Sequence, residues 1–295
     1  MKKIALLLIA VLVFTALSCN AAKTSLENGK KLFEQSNYDG AIQELDKAIK
    51  LNPNMAEAYA YRSWAYSRKN DNATYSWKNN SDLALAALVD ANKAIQLNPQ
   101  LAMGYFVRGR LQRDNDLAIA DYNDAIRLDP QFAMAYNNRG VAYKDKKDYD
   151  RAIADYTEAI RLDPQFAMAY NNRGVVYRKK NDYDSAIADL TEAIRLDPED
   201  PDAYDNRGDA YKDKKDYDRA IADYTEAIRL DPNHKWASKS LAQVRAAKAA
   251  VASSGSSGFS RFRGNPLIDA IRRNSPDGYI NNTERVLDRY GLLED

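Results

Sequence analysis

Apolar residues along the chain recur in pairs of short segments, each at helical spacing and separated by a polar break. In the unit that covers residues 133–166, a first helical segment is followed by a run of polar residues. The second segment carries Ala152, Tyr156 and Ala159 at intervals of four and three residues, which place them on one helix face. Pro164 then ends the segment because proline cannot continue a helix. Each such unit predicts two helices that pack as a hairpin.

The prolines give the period of these units. Six of the nine prolines follow Leu-Asn or Leu-Asp, and their successive spacings are 46, 31, 34, 34 and 34 residues. They are Pro53, Pro99, Pro130, Pro164, Pro198 and Pro232. The units 133–166 and 201–234 differ at only six of 34 positions. A fixed period in this range predicts a stacked repeat architecture.

Within a unit, the pattern Tyr-x-x-x-Gly-x-x-Tyr, then Ala-x-x-x-Tyr-x-x-Ala, then Pro resembles the tetratricopeptide repeat (TPR). Gly140, Ala152 and Ala159 are the small residues expected where the two helices approach closely. The resemblance implies an all-α fold, a right-handed superhelical solenoid with a concave binding face, over about residues 22–251. The six predicted repeats cover about 22–55, 56–101, 102–132, 133–166, 167–200 and 201–234, followed by a capping helix at 235–251.

The start of the chain has the pattern of an export signal. Lys2 and Lys3 precede a run of 14 apolar and small residues from Ile4 to Leu17. A helix that crosses a bilayer needs about 20 such residues. A basic start followed by a short apolar run is typical of a secretory signal, here predicted at residues 1–18 and set aside from the fold.

Residues 16–19, Ala-Leu-Ser-Cys, resemble a bacterial lipobox. In that family the cysteine becomes the first residue of the mature protein and carries the lipid, which here is Cys19, the only cysteine of the chain. Leu17 is bulkier than the usual residue, and ordinary cleavage after Ser18 or at the alanines 21–22 is the alternative. Asn20 is not the aspartate that retains such lipoproteins in the inner membrane of enteric bacteria.

These features predict an exported protein that is lipid-anchored in the cell envelope. The resemblance favours the outer membrane or the periplasmic face, and a periplasmic or secreted protein is the alternative.

Composition excludes several other functions. With 43 basic and 42 acidic residues, the formal charge is +1, which gives no basis for a nucleic-acid partner. One cysteine and one histidine, His234, cannot form an intrachain disulfide or a Cys/His zinc site. Glycines are single or lie in a Ser-rich stretch without a phosphate-loop lysine. The sequence therefore predicts no enzyme, no metal site and no cofactor.

An arginine and an aspartate recur together in repeats two to six. The arginine precedes the glycine position of the first helix, and the aspartate precedes a packing residue of the second helix. The pairs are Arg62 and Asp90, Arg108 and Asp121, Arg139 and Asp155, Arg173 and Asp189, and Arg207 and Asp223. They predict a structural ladder of ion pairs, since the planar guanidinium can bind a carboxylate with two hydrogen bonds. The functional alternative is an arginine row that grips acidic partners.

The resemblance places partner binding on the concave face, which the first helices line. The candidate contacts are Asn137, Asn138, Lys144, Asn171, Asn172, Arg178, Asn206 and Lys212. Asparagine can both donate to and accept from the backbone of an extended peptide. Val141 and Val175 stand where some family members use an asparagine to clamp a carboxylate, so that clamp is not predicted.

Two segments fall outside the repeat pattern. Residues 70–81 form an insertion in repeat two in which Tyr75 and Trp77 either contact a partner or fold back on the neighbouring helix. A Ser/Gly linker at 252–258 is predicted to be flexible and leads to residues 259–295. That extension is expected to form a small helical hairpin that docks on the solenoid or on a partner, since it is too short to be stable alone.

Together these features favour a membrane-anchored, extracytoplasmic scaffold that mediates protein–protein interactions in the bacterial cell envelope, with a protein or peptide in the groove. The alternative is an accessory periplasmic subunit of a solute transporter that pairs with a substrate-binding protein.

Overall fold

The computed structural model describes the backbone of residues 2–72 and 81–260, and the side chains of residues 18–69 and 82–251. Every regular element in this part of the chain is an α-helix. The helices are α1 (Lys2–Glu34), α2 (Tyr38–Leu51), α3 (Ala56–Asn72), α4 (Ser81–Leu97), α5 (Ala102–Leu111), α6 (Asn115–Leu128), α7 (Ala133–Asp145), α8 (Tyr149–Leu162), α9 (Ala167–Lys179), α10 (Tyr183–Leu196), α11 (Pro201–Asp213), α12 (Tyr217–Leu230) and α13 (Lys235–Ser260).

The helices pair in chain order. Each first helix (α1, α3, α5, α7, α9, α11) packs against the second helix that follows it, and each second helix packs against the first helix of the next hairpin. Helix α13 packs on α12 and α11. The all-α solenoid predicted from the sequence is confirmed, and the described helices form six hairpins followed by α13.

The first helices also contact one another along the stack. Contacts join α1 to α3, α3 to α5, α7 to α9, α9 to α11 and α11 to α13. In a curved stack, the layer whose members approach most closely lies on the concave side. We therefore call the residues that join successive first helices the inner layer.

Local sequence signals explain where the second helices begin. Asp148, Asp182 and Asp216 cap α8, α10 and α12 by accepting a backbone N–H of the first turn. Just before the caps of α8 and α12, Lys147 and Lys215 adopt positive φ angles of 62° and 64°. These residues close the preceding first helix, a position that favours glycine or asparagine.

Small residues allow the two helices of a hairpin to approach. A Cβ atom added to Gly140 would lie 2.7 Å from Cε1 of Tyr156, so no larger residue fits there without a shift. Ala152 and Ala159 are fully buried. In repeat two the glycine position holds Ser63, whose hydroxyl donates to the Ala87 carbonyl at 2.6 Å. The close approach predicted for these residues is therefore present.

The described helices differ from the sequence-based boundaries at both ends. Helix α13 continues over residues 252–258, where the composition predicts a flexible linker. Alanine and serine can continue a helix that has already formed, and each glycine reduces the stability of the helix by only about 1 kcal/mol relative to alanine. Helix α1 runs without a break across the predicted signal boundary at residue 18. Within the described residues, no helix combines the length and the apolar character needed to cross a bilayer.

Two predicted features lie outside the described residues. In the insertion, α3 ends at Asn72 and α4 begins at Ser81, and Tyr75 and Trp77 fall between them. The predicted C-terminal helical extension falls outside as well, from residue 261 onward.

Candidate interaction surface

The structure brings all five predicted Arg–Asp pairs into contact. In repeat four, Arg139 donates from Nε to Oδ2 of Asp155 at 2.8 Å and from Nη2 to Oδ1 at 2.6 Å. The other pairs make equivalent contacts: Arg62 with Asp90, Arg108 with Asp121, Arg173 with Asp189, and Arg207 with Asp223. Each pair joins the two helices of one hairpin.

Each of these arginines makes a further contact that the sequence analysis missed. The Nη1 atom of Arg139 donates to Oδ1 of Asn123, which lies in the second helix of the preceding repeat, at 2.7 Å. The acceptors for the whole series are Asp46, Asn92, Asn123, Thr157 and Thr191. The available signal was a polar residue that recurs two positions after the ladder aspartate, and two positions after Glu44, which holds the equivalent place in repeat one. The ladder thus joins neighbouring repeats as well as the helices of one repeat.

A tyrosine ring packs against each of these guanidinium groups. The guanidinium carbon of Arg139 lies 5.5 Å from the centroid of the Tyr136 ring, one helical turn before it. The equivalent tyrosines are Tyr59, Tyr105, Tyr170 and Tyr204. Hydrogen bonding to Asp155 raises the pKa of Arg139. Because ring, carboxylate and neighbouring repeat occupy each guanidinium, its interactions hold the solenoid together, and we assign no partner contact to this row.

A second series of ion pairs links successive repeats at the surface. In four pairs a lysine at or near the end of a first helix contacts an aspartate in the first turn of the preceding second helix, and in the fifth the lysine lies within α13. The pairs are Lys69 with Asp39, Lys146 with Asp116, Lys180 with Asp150, Lys214 with Asp184, and Lys248 with Asp218. In repeat two the equivalent of the aspartate position holds Leu85. Each exposed ion pair of this kind contributes little to the free energy of unfolding.

The predicted asparagines join first helices of neighbouring repeats. Asn172 donates from Nδ2 to Oδ1 of Asn137 at 3.0 Å, and Asn206 donates in the same way to Asn171 at 3.0 Å. Asn137 also donates to Oδ1 of Asn138 at 3.1 Å. Asn137 is only 1% exposed, so its prediction as a partner contact is wrong. Its amide is held by the packing of α7 against α9, and the partly exposed members of the row are the ones a partner can reach.

The predicted cationic contacts form ion pairs within the solenoid. Arg178 lies 2.6 Å from Oδ2 of Asp209 in the next repeat, and Lys212 lies 2.5 Å from Oδ1 of the same carboxylate. The Tyr224 hydroxyl donates to Asp209 at 2.7 Å. Burial acts to raise the pKa of Asp209, but Lys212, Arg178 and Tyr224 together lower it. Lys144 has a longer contact of 3.9 Å with Asp145.

Asp205 lies near this network without a matching cation. Its Oδ1 atom is buried and has no hydrogen-bond partner among the described residues. Burial, and then the charge of Asp209, raise the pKa of Asp205 to about 6. In repeat six, Asp205 is thus a partly buried carboxylate with one oxygen that no described residue hydrogen-bonds.

His234 has a structural environment. Its Nδ1 accepts the backbone N–H of Ala237 at 3.1 Å, in the first turn of α13. Its Nε2 lies 3.0 Å from Oδ1 of Asp202. With Nδ1 accepting, the ring proton resides on Nε2 and points at that carboxylate. No group of three or more His, Cys, Asp or Glu residues in the described part of the chain is arranged to hold a metal ion.

Aromatic side chains occupy the inner layer of repeats one to three, which the sequence analysis did not single out. The ring centroids of Phe33 and Trp64 are 4.4 Å apart, and those of Phe33 and Tyr61 are 6.1 Å apart. Trp64 in turn contacts Phe106 in repeat three at 5.5 Å. The available signal was the single tryptophan of α3, but the contacts join helices far apart in the sequence.

Family models match most of the repeat region. Models described as "Tetratricopeptide repeat" match residues 133–166 and 171–235, and a model described as "TPR repeat" matches 29–70 and 110–147. The chain belongs to the tetratricopeptide repeat family. No curated protein sequence matches the chain. TPR proteins are generally non-catalytic, and the TPR fold supports a scaffold for protein–protein interaction.

Solved structures share this fold. The APC/C Cut9–Hcn1 hetero-tetramer aligns with a TM-score of 0.68 at 21% identity over 76% of this chain. The alignment covers 42% of the length of the matched chain in that structure, so the present chain spans less than half of it. PilF of Pseudomonas aeruginosa aligns with a TM-score of 0.62 at 16% identity, over 77% of this chain and 99% of PilF. At these identities the likeness shows the common fold alone.

Proposed function

We propose that this TPR protein is a scaffold of the bacterial cell envelope that is held at a membrane by a lipid on Cys19 and binds a segment of another protein along its inner layer. The proposed binding surface rests on one observation: the ladder arginines and the polar residues of the first helices differ in whether they are free to contact a partner. The guanidinium groups of the ladder arginines already hydrogen-bond to partners within the solenoid, as Arg139 does to Asp155 and Asn123. Asn171, Asn172, Asn206 and Lys144, by contrast, remain partly exposed on the first helices.

Amide side chains in a row suit an extended segment. Asn172 and Asn206 each use Nδ2 for a bond to the preceding repeat. Their carbonyl oxygens remain as acceptors, and an asparagine amide can bind a peptide backbone group in either sense. A partner that lies along several repeats gains such contacts repeatedly, which is the usual advantage of a solenoid surface.

The position of Cys19 suits an anchor that leaves the first repeat intact. Cys19 is exposed, and Ala22, three residues later, is the first fully buried residue among those of α1 whose side chains the structure describes. Cleavage before Cys19 would retain Ala22 and remove the hydrogen bond that the Ser18 hydroxyl donates to the Leu51 carbonyl at 3.3 Å. Three residues span at most about 10 Å, so the lipid would hold the first hairpin close to the membrane surface. Several acyl chains bind a membrane firmly, since each buried methylene contributes about 0.8 kcal/mol.

Membrane fractionation tests the anchor. Cys19→Ala should move the protein from the membrane to the soluble fraction and abolish incorporation of a labelled fatty acid. Asn20→Ala, at the adjacent exposed position, is the matched control and should stay in the membrane with its label. Membrane association of the Cys19→Ala protein would contradict the anchor.

Photocrosslinking in intact cells tests the binding surface. A photoreactive residue at Asn172 or Lys144 should yield a defined crosslinked protein, because both positions lie on the first helices. The same residue at Glu158 or Glu192, on the second helices, is the control and should not yield that product. Identical products from both sets would contradict the inner layer as the binding surface. Recovery of a solute-binding protein would identify the transporter alternative.

A further inference from the structure

Repeats four and six are near-copies, and their differences are concentrated on one surface. Of 34 positions, six differ. Three of the six replace an uncharged residue by aspartate: Met134, Asn137 and Val141 correspond to Asp202, Asp205 and Asp209. Their spacing of three and four residues places them on a single stripe of helix α11. A fourth difference brings in His234, which contacts Asp202.

This stripe belongs to the inner layer. Asp209 contacts Arg178 of the preceding first helix, and Asp202 contacts His234 at the start of α13. The ladder pair of repeat six, Arg207 and Asp223, is the same as in repeat four. The residues that build the hairpin are thus retained, while the surface stripe gains three negative charges. The differences therefore change the charge of the stripe, add contacts to Arg178, Tyr224 and His234, and leave the ladder pair unchanged.

The other end of the inner layer has a different chemistry. The position held by Asp209 in repeat six is Lys30, Trp64, Arg110, Val141 and Val175 in repeats one to five. Trp64 packs with Phe33 and Tyr61, whose side chains are all partly exposed. At the position held by Asp205, Leu26, Ala60, Phe106 and Asn137 are buried in repeats one to four, whereas Asn171 and Asp205 in repeats five and six are partly exposed. The inner layer therefore carries an aromatic cluster in repeats one to three, asparagines in repeats four and five, and aspartates in repeat six, with the cations Lys30 and Arg110 in repeats one and three.

We propose that the inner layer binds an extended protein segment in one orientation, with an apolar or aromatic residue against Phe33, Tyr61 and Trp64 and a basic residue at the Asp202, Asp205 and Asp209 stripe. This inference rests on the proposed function, since it takes the inner layer as the binding surface. Charge complementarity selects a basic residue because the two nearby cations, Arg178 and Lys212, are both already paired with Asp209. A large apolar side chain is the complement of an aromatic cluster.

Selection from a phage-displayed library of random dodecapeptides tests the proposal. The probes are the whole protein and two variants that borrow residues from repeat four. One is the triple variant Asp202→Met, Asp205→Asn, Asp209→Val, and the other is Trp64→Val. The borrowed residues already occur in folded repeats of this chain, and circular dichroism with urea unfolding checks each variant.

The unmodified protein should enrich peptides that carry an aromatic or large aliphatic residue and, at a constant spacing and order, Lys or Arg. The triple variant should lose the Lys/Arg enrichment and bind an enriched peptide about tenfold more weakly, while keeping the apolar preference. Trp64→Val should lose the apolar preference and keep the basic one. Added salt should weaken binding to the unmodified protein and affect the triple variant less. If the triple variant unfolds, Asp205→Asn alone carries the test.

Two results would overturn the proposal in distinguishable ways. Enriched peptides without Lys or Arg, or equal Lys/Arg enrichment in the triple variant, would refute the oriented segment and leave the proposed binding function standing. No enrichment by any of the three proteins would contradict the proposed binding function as well.

Discussion

Arg139 binds Asp155 through two parallel hydrogen bonds of 2.8 and 2.6 Å, and the same guanidinium reaches Asn123 in the preceding repeat at 2.7 Å. The Asp155 side chain is only 8% exposed. A buried carboxylate is tolerated only when a partner compensates its charge. Arg139 therefore fixes both the geometry of its own hairpin and the attachment of that hairpin to repeat three.

Replacement of Arg139 by lysine should destabilise the solenoid although the charge is kept. Lysine cannot bind both carboxylate oxygens and Asn123 at once, and we expect a loss of about 2 kcal/mol in the free energy of unfolding. Urea unfolding followed by circular dichroism measures it. Arg161→Lys is the matched control, because Arg161 pairs with Glu158 on one exposed helix face and should leave the midpoint unchanged. Equal shifts for the two variants would count against the ladder.

Tyr156 and Tyr224 occupy the same position in repeats four and six but should respond oppositely to loss of the hydroxyl. The Tyr156 hydroxyl is buried without a hydrogen-bond partner among the described residues, whereas that of Tyr224 donates to Asp209. Tyr156→Phe removes an unsatisfied group and should raise the free energy of unfolding by about 1 kcal/mol, while Tyr224→Phe should lower it by a similar amount. Paired urea titrations check this. A loss in both variants would show that Tyr156 has an acceptor.

The change in the free energy of unfolding caused by Asp205→Asn should depend on pH. Asp205 faces Asp202, Asp209 and Lys212 of its own helix and His234 of the next, and its pKa is raised to about 6. A carboxyl with a raised folded pKa destabilises the fold in its charged form. That penalty is complete above about pH 6 and disappears below about pH 4, near the unfolded pKa.

Asparagine at this position occurs in repeats four and five, so the substitution fits the local structure. We expect Asp205→Asn to raise the free energy of unfolding by about 1 kcal/mol near neutral pH, a value reduced for solvent screening, and to have little effect at about pH 4. Unfolding curves across this pH range measure the difference. A gain that is independent of pH would contradict the shifted carboxyl.

Glycine at the positive-φ positions should stabilise the protein. Lys147 has φ 62°. This left-handed conformation strains residues that have a Cβ atom, whereas glycine adopts it without that strain. Lys147→Gly is expected to raise the free energy of unfolding by about 0.5 kcal/mol or more. Asn181, with φ 63°, is the control, because asparagine tolerates this conformation better and Asn181→Gly should gain less. Thermal unfolding of both variants compares them, and a loss at Lys147 would contradict the strain.

Most of the fold could be predicted from the repeat period and from the residue types within one hairpin. The spacing of the prolines predicted six hairpins, and the recurrence of Arg139 and Asp155 in equivalent places predicted their pairing. These features were accessible because a hairpin of about 34 residues is a local unit, whose helices and contacts depend on residues close in the sequence. Near-identical repeats also repeated each signal several times.

The contacts between repeats came only from the tertiary structure. The sequence alone determined the helices, their pairing and the ladder within each hairpin. The structure decided that Asn137 is buried, that Arg139 also reaches Asn123, and that Trp64 packs with Phe33 and Phe106. Whether a helix position is exposed or enclosed at a seam depends on how closely neighbouring first helices approach, and that distance follows from the stacking of whole hairpins rather than from any local pattern.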